Sequence, residues 1–364
     1  MKRIVLILLV VPLVSCAQPT TPESGSTPQN IFLITLDGLR WQELFSGADS
    51  LLIRDDRYVE NAEALIEQFW ADDPISRRKT LMPFFWNVIA RDGQLYGNRT
   101  YGNHVNVTNN HWFSYPGYNE ILTGFADDRI DSNDKVDNPN KTVLEFVNEQ
   151  PGFRGAVAAF GSWDVFPYIV NENRSGISVN AGFRTAEGDD LTEREVFLNE
   201  LQPQVPSPWS TVRLDAFTHH YAVEYLKKHR PRLLYIAYGE TDDFAHDGDY
   251  EAYLKSARQT DDFIRALWDW AQADDAYRGQ TTLLITTDHG RGEGDDWTSH
   301  GTDIDGADAI WFAAIGPDTP PLGEVKTAGQ YYQNQVAKTA AAFLGLEYQN
   351  ERDVGPVCAP MLGR

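Results

Sequence analysis

Residues 281–292 have the sequence TTLLITTDHGRG, in which an apolar run ends in a carboxylate, an imidazole and two glycines. The run Thr281–Ile285 predicts a buried strand, because it is short, mostly apolar and β-branched. Open parallel sheets hold their binding sites at the carboxyl ends of their strands. Asp288 and His289 are therefore candidate metal ligands at a strand end.

Similar apolar runs recur along the chain and alternate with stretches of helical periodicity. This βαβ alternation predicts an α/β fold with a mostly parallel central sheet and helices on both faces, formed by one domain over residues 30–364. Residues 163–210 are the least regular part, and we expect a cap over the site there, with a surface loop as the alternative. The predicted strands are Ile31–Leu36, Gly155–Phe160, Leu233–Tyr238, Thr281–Thr287 and Ala309–Ile315, and the predicted helices include Thr80–Arg91, Thr142–Glu149, Leu214–Lys228, Tyr250–Ala273 and Gln330–Leu344.

The first residues are typical of an export signal. Lys2 and Arg3 precede the apolar run Ile4–Val14, which is too short to span a bilayer as a helix. Residues 1–15 are thus predicted to be a signal peptide of the lipoprotein type, since Leu13-Val14-Ser15-Cys16 resembles the bacterial lipobox, in which the cysteine is lipidated. The alternative is an ordinary signal peptide with an incidental Cys16. Residues 16–29 would form a flexible tether. A lipid anchor on Cys16 would hold the domain in the bacterial cell envelope, in the periplasm or at the surface.

Composition limits the classes of partner. The chain has a formal net charge of −22, which becomes −24 if Lys2 and Arg3 leave with the signal, so no basic surface for a nucleic acid polymer is expected. The membrane would be contacted only through the lipid anchor. The two cysteines, Cys16 and Cys358, give no disulfide framework if Cys16 is lipidated. The sequence does not indicate an oligomeric state.

Three other stretches contain candidate metal ligands. Asp37-Gly38 follows the first strand, and a ligand or a simple turn would both fit. Asp242 and His246 follow the strand Leu233–Tyr238 and are four residues apart, so one helical turn brings them to one face, suited to one cation. His300 lies a little beyond Asp288-His289. Together these stretches offer ligands for a metal.

Ser114 begins the segment SYPGYNEILTG, and Pro116 is suited to the first turn of a helix. The serine could simply cap that helix. Alternatively, its alkoxide would be stabilised by the positive end of the helix dipole and by a neighbouring cation. Because no Gly-x-Ser-x-Gly elbow surrounds Ser114, a metal-activated nucleophile is the better hypothesis.

These residues resemble, in order and type, the two-metal site of the alkaline-phosphatase superfamily, and Ser114–Gly124 is most similar to the nucleophile segment of the type I phosphodiesterase and nucleotide pyrophosphatase branch. The resemblance covers about residues 30–317 and implies the superfamily's three-layer sandwich. It implies two cation sites. One would be formed by Asp242, His246 and His300, and the other by Asp37, Asp288, His289 and the nucleophile Ser114.

The implied activity is hydrolysis of a small phosphoric ester, by a phosphodiesterase or phosphatase, through a phosphoseryl intermediate. Two divalent cations about 4 Å apart can stabilise the attacking and the leaving oxygen of an in-line displacement. Mixed Asp and His ligands suit Zn²⁺, with Mn²⁺ as the alternative. Nearby side chains that could donate to a phosphoryl oxygen are His104, Asn109, Asn110, His111 and Asn119.

The sequence departs from the branch at two places. His300 follows His289 by only 11 residues, whereas the branch has a longer spacing, and Gly117-Tyr118 replaces an Asn-His pair. One alternative is a sulfatase-like hydrolase, because Ser114-Tyr115-Pro116-Gly117 matches the Cys/Ser-x-Pro-x-Arg motif apart from Tyr118 in place of arginine. Another is a non-catalytic envelope lipoprotein that binds a glycan or a protein. The substrate class is therefore less well defined than the metal site.

Overall fold

The computed structural model describes residues 29–363. The predicted signal peptide and Cys16, with all of the predicted tether except Gln29, lie outside these residues. Among the described helices, none is long and apolar enough to cross a membrane.

The described chain alternates strands and helices. The strands are β1 (Asn30–Leu36), β2 (Gln94–Tyr96), β3 (Asn103–Asn106), β4 (Val157–Gly161), β5 (Ser178–Ala181), β6 (Leu233–Tyr238), β7 (Thr281–Thr286), β8 (Ala309–Ile310), β9 (Phe312–Ile315), β10 (Gly323–Glu324) and β11 (Gly329–Tyr332). The α-helices are α1 (Trp41–Ser46), α2 (Ala62–Phe69), α3 (Pro74–Leu81), α4 (Ala90–Asp92), α5 (Ser114–Thr123), α6 (Val143–Glu149), α7 (Phe166–Ile169), α8 (Glu172–Ser175), α9 (Glu193–Leu201), α10 (Asp215–His229), α11 (Glu240–His246), α12 (Tyr250–Ala273) and α13 (Gln335–Phe343).

Eight of these strands form the central sheet, in the order β10-β2-β9-β7-β1-β6-β4-β5. The five strands from β7 to β5 are parallel, while β9 runs antiparallel to β7 and β2 antiparallel to β9. A small second sheet has the order β11-β3-β8. The predicted mostly parallel sheet is therefore confirmed, and among its described strands β9 is the one that runs in the opposite direction.

The central strand β1 is buried on both faces and separates two apolar cores. Phe32, Ile34 and Leu36 point into one core, which α10 and α12 complete. Ile31 and Leu33 alternate with them and point into the other core, which α5, α6 and α13 complete. Helices on both faces of the sheet confirm the predicted three-layer α/β fold.

Several predicted boundaries were wrong. The predicted strand Ala309–Ile315 is divided, because Ala309 and Ile310 pair with β3 whereas Phe312–Ile315 pair with β7. The predicted helix Gln330–Leu344 begins only at Gln335, since Gly329–Tyr332 form β11. The predicted helix Thr80–Arg91 is interrupted, and Phe85–Ile89 form a π-helical turn.

The irregular region 163–210 is partly built into the fold. Its strand β5 pairs with β4 at the edge of the central sheet, and α9 has a complete capping box formed by Thr192 and Glu195. A capping role for this region stays a prediction.

Candidate metal centre

Three neighbouring strands bring the predicted carboxylates together. Strand β1 lies between β7 and β6, with Thr35 paired to Thr286 and Leu36 paired to Tyr238. All three strands run in the same direction, so their carboxyl ends lie side by side. Asp37 and Asp288 follow β1 and β7 there, and Asp242 follows β6 in the first turn of α11. The fold thus concentrates three acidic side chains at one point.

Gly38 permits this close approach. Its φ is +58°, a backbone conformation that glycine adopts readily, and a Cβ atom there would lie 2.7 Å from Oδ1 of Asp242. Its N–H donates to Oδ1 of Asp288 over 3.1 Å. Gly38 therefore connects the ends of β1 and β7 and leaves room for the carboxylate from β6.

Ser114 lies at the start of α5 and faces the same point. It is the first residue of the helix, where Phe113 is the N-cap, and no side chain caps this end. The serine hydroxyl is therefore not used for capping; its Oγ lies 3.5 Å from Nε2 of His289. Just before it, Trp112 has a φ of +51°, a conformation that costs energy for a side chain of this size. Asn109 stabilises that turn by accepting hydrogen bonds from the backbone N–H groups of residues 111 and 112.

His289 occupies the centre of the cluster. Because its Nδ1 lies 2.9 Å from the carbonyl of Gly290, which can only accept, Nδ1 carries the proton and Nε2 presents a lone pair. That Nε2 is 3.3 Å from Oδ1 of Asp37 and 3.5 Å from Oδ2 of Asp288. One ligand atom each from Asp37, Asp288 and His289 fall within 4.8 Å of one another. This first group consists of three of the four residues predicted to form one cation site, and Ser114 is the fourth.

A second group, formed by Asp242, His246 and His300 as predicted for the other cation site, lies beside the first. Nε2 of His246 is 3.2 Å from Oδ2 of Asp242 and 3.0 Å from Nε2 of His300, and His300 is 3.8 Å from Oδ1 of Asp242. The rings of His289 and His300 are 4.0 Å apart, so the two groups are adjacent. The structure thus brings all seven predicted residues together, while their role as metal ligands stays a prediction.

The chemistry of the first group fits a cation. Oδ1 of Asp37 and Oδ2 of Asp288 are buried and have no hydrogen-bond partner. Burial, together with the negative charge of a neighbouring aspartate, raises the pKa of both carboxyls well above its usual value. When the carboxyls are ionised, three acceptor atoms face each other without a donor and repel one another, and a divalent cation would satisfy all of them.

Arg291 was not predicted as a site residue, but it lies beside the second group. It is fully buried and its Nη1 binds Oδ1 of Asp242, which holds the pKa of that carboxyl well below its usual value against the effect of burial. Its Nε and Nη2 donate to the carbonyls of Trp297 and Thr298. Arg291 therefore connects a candidate ligand to the segment that leads to His300.

Tyr118 is the second residue whose contact was not predicted. Its hydroxyl donates to Oδ2 of Asp37 over 2.9 Å, and the side chain is completely buried. The preceding Gly117 packs against the backbone of Asp288, where a Cβ would lie 2.4 Å from the carbonyl oxygen. Gly117-Tyr118, which departs from the branch pattern, thus makes specific contacts with two candidate ligands.

The predicted phosphoryl donors mostly have other partners. Asn109 donates its amide to Glu120, and Asn110 donates to Asp128. Asn119 donates to the carbonyl of Phe125, and His104 contacts Arg99. In contrast, Nε2 of His111 is buried without a partner. Among these five residues, His111 keeps an unused polar atom close to Ser114 in sequence.

Comparisons with known proteins show what this chain is similar to. Residues 195–347 match the family model described as the Metalloenzyme superfamily. This stretch includes Asp242, His246, Asp288, His289 and His300. No curated protein matches the sequence.

Solved structures extend the likeness to almost the whole chain. The alkaline phosphatase PafA aligns with a TM-score of 0.62 at 9% identity, covering 93% of this chain and all of that one. BT1596, a 2-O GAG sulfatase, aligns with a TM-score of 0.60 at 13% identity over 92% of this chain and 74% of that one. The phosphonate monoester hydrolase of Agrobacterium radiobacter aligns with a TM-score of 0.57 at 14% identity over 92% and 77%.

The fold is therefore that of the alkaline-phosphatase superfamily, as the sequence resemblance implied. Phosphatases, sulfatases and a phosphonate hydrolase all share it. At these identities the likeness establishes the fold alone, and any substrate of this chain has to be argued from its own site.

Proposed function

We propose that this protein is an exported hydrolase of small phosphoric esters that uses two divalent cations and Ser114 as its nucleophile. The observation that supports it most is the position of Ser114, the uncapped first residue of a helix, whose Oγ is 3.5 Å from the lone pair of His289. Asp37 and Asp288 contribute buried oxygens without partners to the same point. The candidate nucleophile, the candidate ligands beside it and the second candidate ligand group thus lie close together.

The chain's own residues would bind and orient the reacting groups. Asp37, Asp288 and His289 would hold one cation against Ser114 Oγ, and Asp242, His246 and His300 would hold the other. When bound, the two cations stabilise the serine alkoxide and the charge on the leaving oxygen. The positive end of α5 favours negative charge on Oγ. Ser114 Oγ would attack phosphorus, the bond to the leaving alkoxide would break, and water would then release the phosphoryl group from the serine.

Zinc is the proposed metal, because three histidines stand among the seven residues and imidazole suits zinc, while manganese is the alternative for the carboxylate-rich first group. The envelope location and the lipid anchor on Cys16 are part of the proposal and rest on residues 1–16. The partner proposed is a small ester rather than a nucleic acid polymer, since the net charge of −22 repels polyanions.

Sulfatase activity is the competing proposal, because a sulfatase shares the fold. In the sulfatase motif an arginine would stand where this chain has Tyr118. Here the residue is an uncharged tyrosine whose hydroxyl donates a hydrogen bond to Asp37. The lack of the motif arginine at position 118 is what counts against the sulfatase.

The test compares zinc-loaded protein on bis-p-nitrophenyl phosphate, p-nitrophenyl phosphate and p-nitrophenyl sulfate. We expect hydrolysis of a phosphate ester, and the preferred substrate decides between diesterase and monoesterase. Ser114→Ala should lower kcat at least about a thousand-fold, as expected when a nucleophile is removed. Ser76→Ala, at an exposed serine of α3, is the matched control and should retain full activity.

Full turnover by Ser114→Ala would exclude the covalent mechanism. Cleavage of the sulfate alone would favour the sulfatase. Zinc-loaded protein inert on all three esters would support the non-catalytic lipoprotein.

A further inference from the structure

Asp37 uses its two carboxylate oxygens differently. Oδ2 accepts the hydrogen bond of Tyr118 over 2.9 Å, whereas Oδ1 is buried without a partner and lies 3.3 Å from Nε2 of His289. We propose that Tyr118 is a positioning residue that holds Asp37 so that only Oδ1 is presented to a cation shared with Ser114. This inference rests on the metal site of the proposed function.

The position of Tyr118 on α5 gives the contact its significance. Ser114 and Tyr118 are four residues apart, so they lie on the same face of the helix, one turn from each other. The helix therefore carries both the candidate nucleophile and the donor to its candidate ligand. The bond to Asp37 connects α5, one turn after Ser114, directly to the residue that follows β1.

Packing leaves the tyrosine ring little freedom. Tyr118 is fully buried, and its ring packs edge-on against Phe166 with the centroids 4.7 Å apart. Next to it, Gly117 lies against the backbone of Asp288, so the helix cannot shift toward β7. A ring held in this way keeps its hydroxyl directed at one oxygen of Asp37.

The expected consequence is monodentate binding with a fixed carboxylate plane. Without the phenol, Asp37 could rotate and present either oxygen, and Oδ2 would be left buried without a donor. Removing a group that orients a metal ligand by hydrogen bonding typically changes metal affinity or activity by about 10- to 100-fold. The tyrosine would thus contribute to metal binding without touching the metal.

Tyr118→Phe tests this directly, because it removes one oxygen atom and keeps the packed ring. The matched control is Tyr115→Phe on the same helix, whose hydroxyl donates to the carbonyls of Val136 and Tyr168 instead. Zinc affinity and stoichiometry are measured on metal-stripped protein by competition with a chelating dye, and thermal unfolding in chelator verifies that both variants are folded. A second readout is the visible spectrum of cobalt-loaded protein, which depends on ligand geometry.

We expect Tyr118→Phe to weaken one of two zinc sites by about 10- to 100-fold and to alter the cobalt spectrum, with the other site unchanged. Tyr115→Phe should match the wild type in both. Wild-type affinities and an unaltered spectrum in Tyr118→Phe would overturn this inference and leave the proposed function intact. Failure of the wild type itself to bind zinc would overturn both.

Discussion

At the scale of single residues, His289 is where the two candidate cation sites meet. Its Nδ1 proton is held by the carbonyl of Gly290, so its Nε2 lone pair faces Asp37, Asp288 and Ser114. The side chain is completely buried. Three acceptors converge here, Nε2 of His289 and one oxygen each of Asp37 and Asp288. When both carboxyls are ionised, these acceptors destabilise the folded protein unless a cation lies among them.

Asp288→Asn should therefore act in opposite directions with and without metal. The amide keeps Oδ1 as the acceptor for the N–H of Gly38 and removes a buried negative charge next to Asp37. In chelator, we expect the variant to be more stable than the wild type by about 1 kcal/mol or more, the scale of an unsatisfied buried group. With zinc, the wild type should gain more than the variant, because the variant lacks a charged ligand. Thermal unfolding in both conditions measures this, and equal shifts would contradict it.

At the scale of elements, the segment from Arg291 to His300 supplies the last candidate ligand. Arg291 donates to the carbonyls of Trp297 and Thr298 and to Asp242, so one guanidinium fixes the segment to α11. Trp297 is fully buried and packs against Tyr250 and Tyr253 of α12. The short spacing between His289 and His300 is thus accommodated by a compact, anchored segment.

Arg291→Lys should loosen this segment, since a single ammonium cannot reproduce the planar fork of donors. We expect the dissociation constant of the site formed by Asp242, His246 and His300 to rise about 10-fold or more. Limited proteolysis should cleave within residues 292–299 sooner than in the wild type. Arg265→Lys, at a half-exposed ion pair on α12, is the control. Unchanged zinc affinity and unchanged cleavage would show that Arg291 is dispensable for the site.

The strand ends could be predicted from sequence because each combines an apolar run with an abrupt polar residue. Leu233–Tyr238 matches the structure at both ends, and the helix Tyr250–Ala273 does as well. Gln330–Tyr332 could not be predicted as a strand, because the pairing that makes it one is with the distant β3. Local periodicity does not report such contacts.

The same distinction holds within the site. Asp37, Asp242 and Asp288 were predictable, since parallel strands bring their carboxyl ends to one edge. The contacts of Tyr118 with Asp37 and of Arg291 with Asp242 join residues 81 and 49 positions apart. These two contacts form only because α5 and the segment after β7 pack onto the sheet. No spacing in the sequence indicates that packing.

At the scale of the whole molecule, stability should depend on pH through Asp261, a buried carboxyl outside the candidate metal site. Asp261 on α12 is fully buried and accepts the backbone N–H groups of Phe84 and Phe85, which joins α12 to the turn before the π-helical segment. Burial raises its pKa to about 7 despite these hydrogen bonds. The folded protein therefore retains a proton there that the unfolded chain releases near its ordinary pKa.

Asp261 should thus stabilise the fold fully only below about pH 4, and its contribution should be lost as pH rises toward about 7, because there the unfolded state binds fewer protons. The slope approaches about 1.4 kcal/mol per pH unit for one group. Asp261→Asn should remove this slope and lower stability at acid pH. Urea unfolding of both proteins from pH 4 to 8 measures the difference, and parallel curves would contradict the assignment.

The central claim is that the seven gathered residues form a two-cation hydrolytic site. It is tested most directly by titrating metal-stripped protein with zinc while counting bound zinc and following hydrolysis of bis-p-nitrophenyl phosphate and p-nitrophenyl phosphate. Two zinc ions per chain are predicted, with hydrolysis of a phosphate ester reaching its maximum as the second binds. Protein that binds no zinc or manganese and hydrolyses neither ester would contradict the claim.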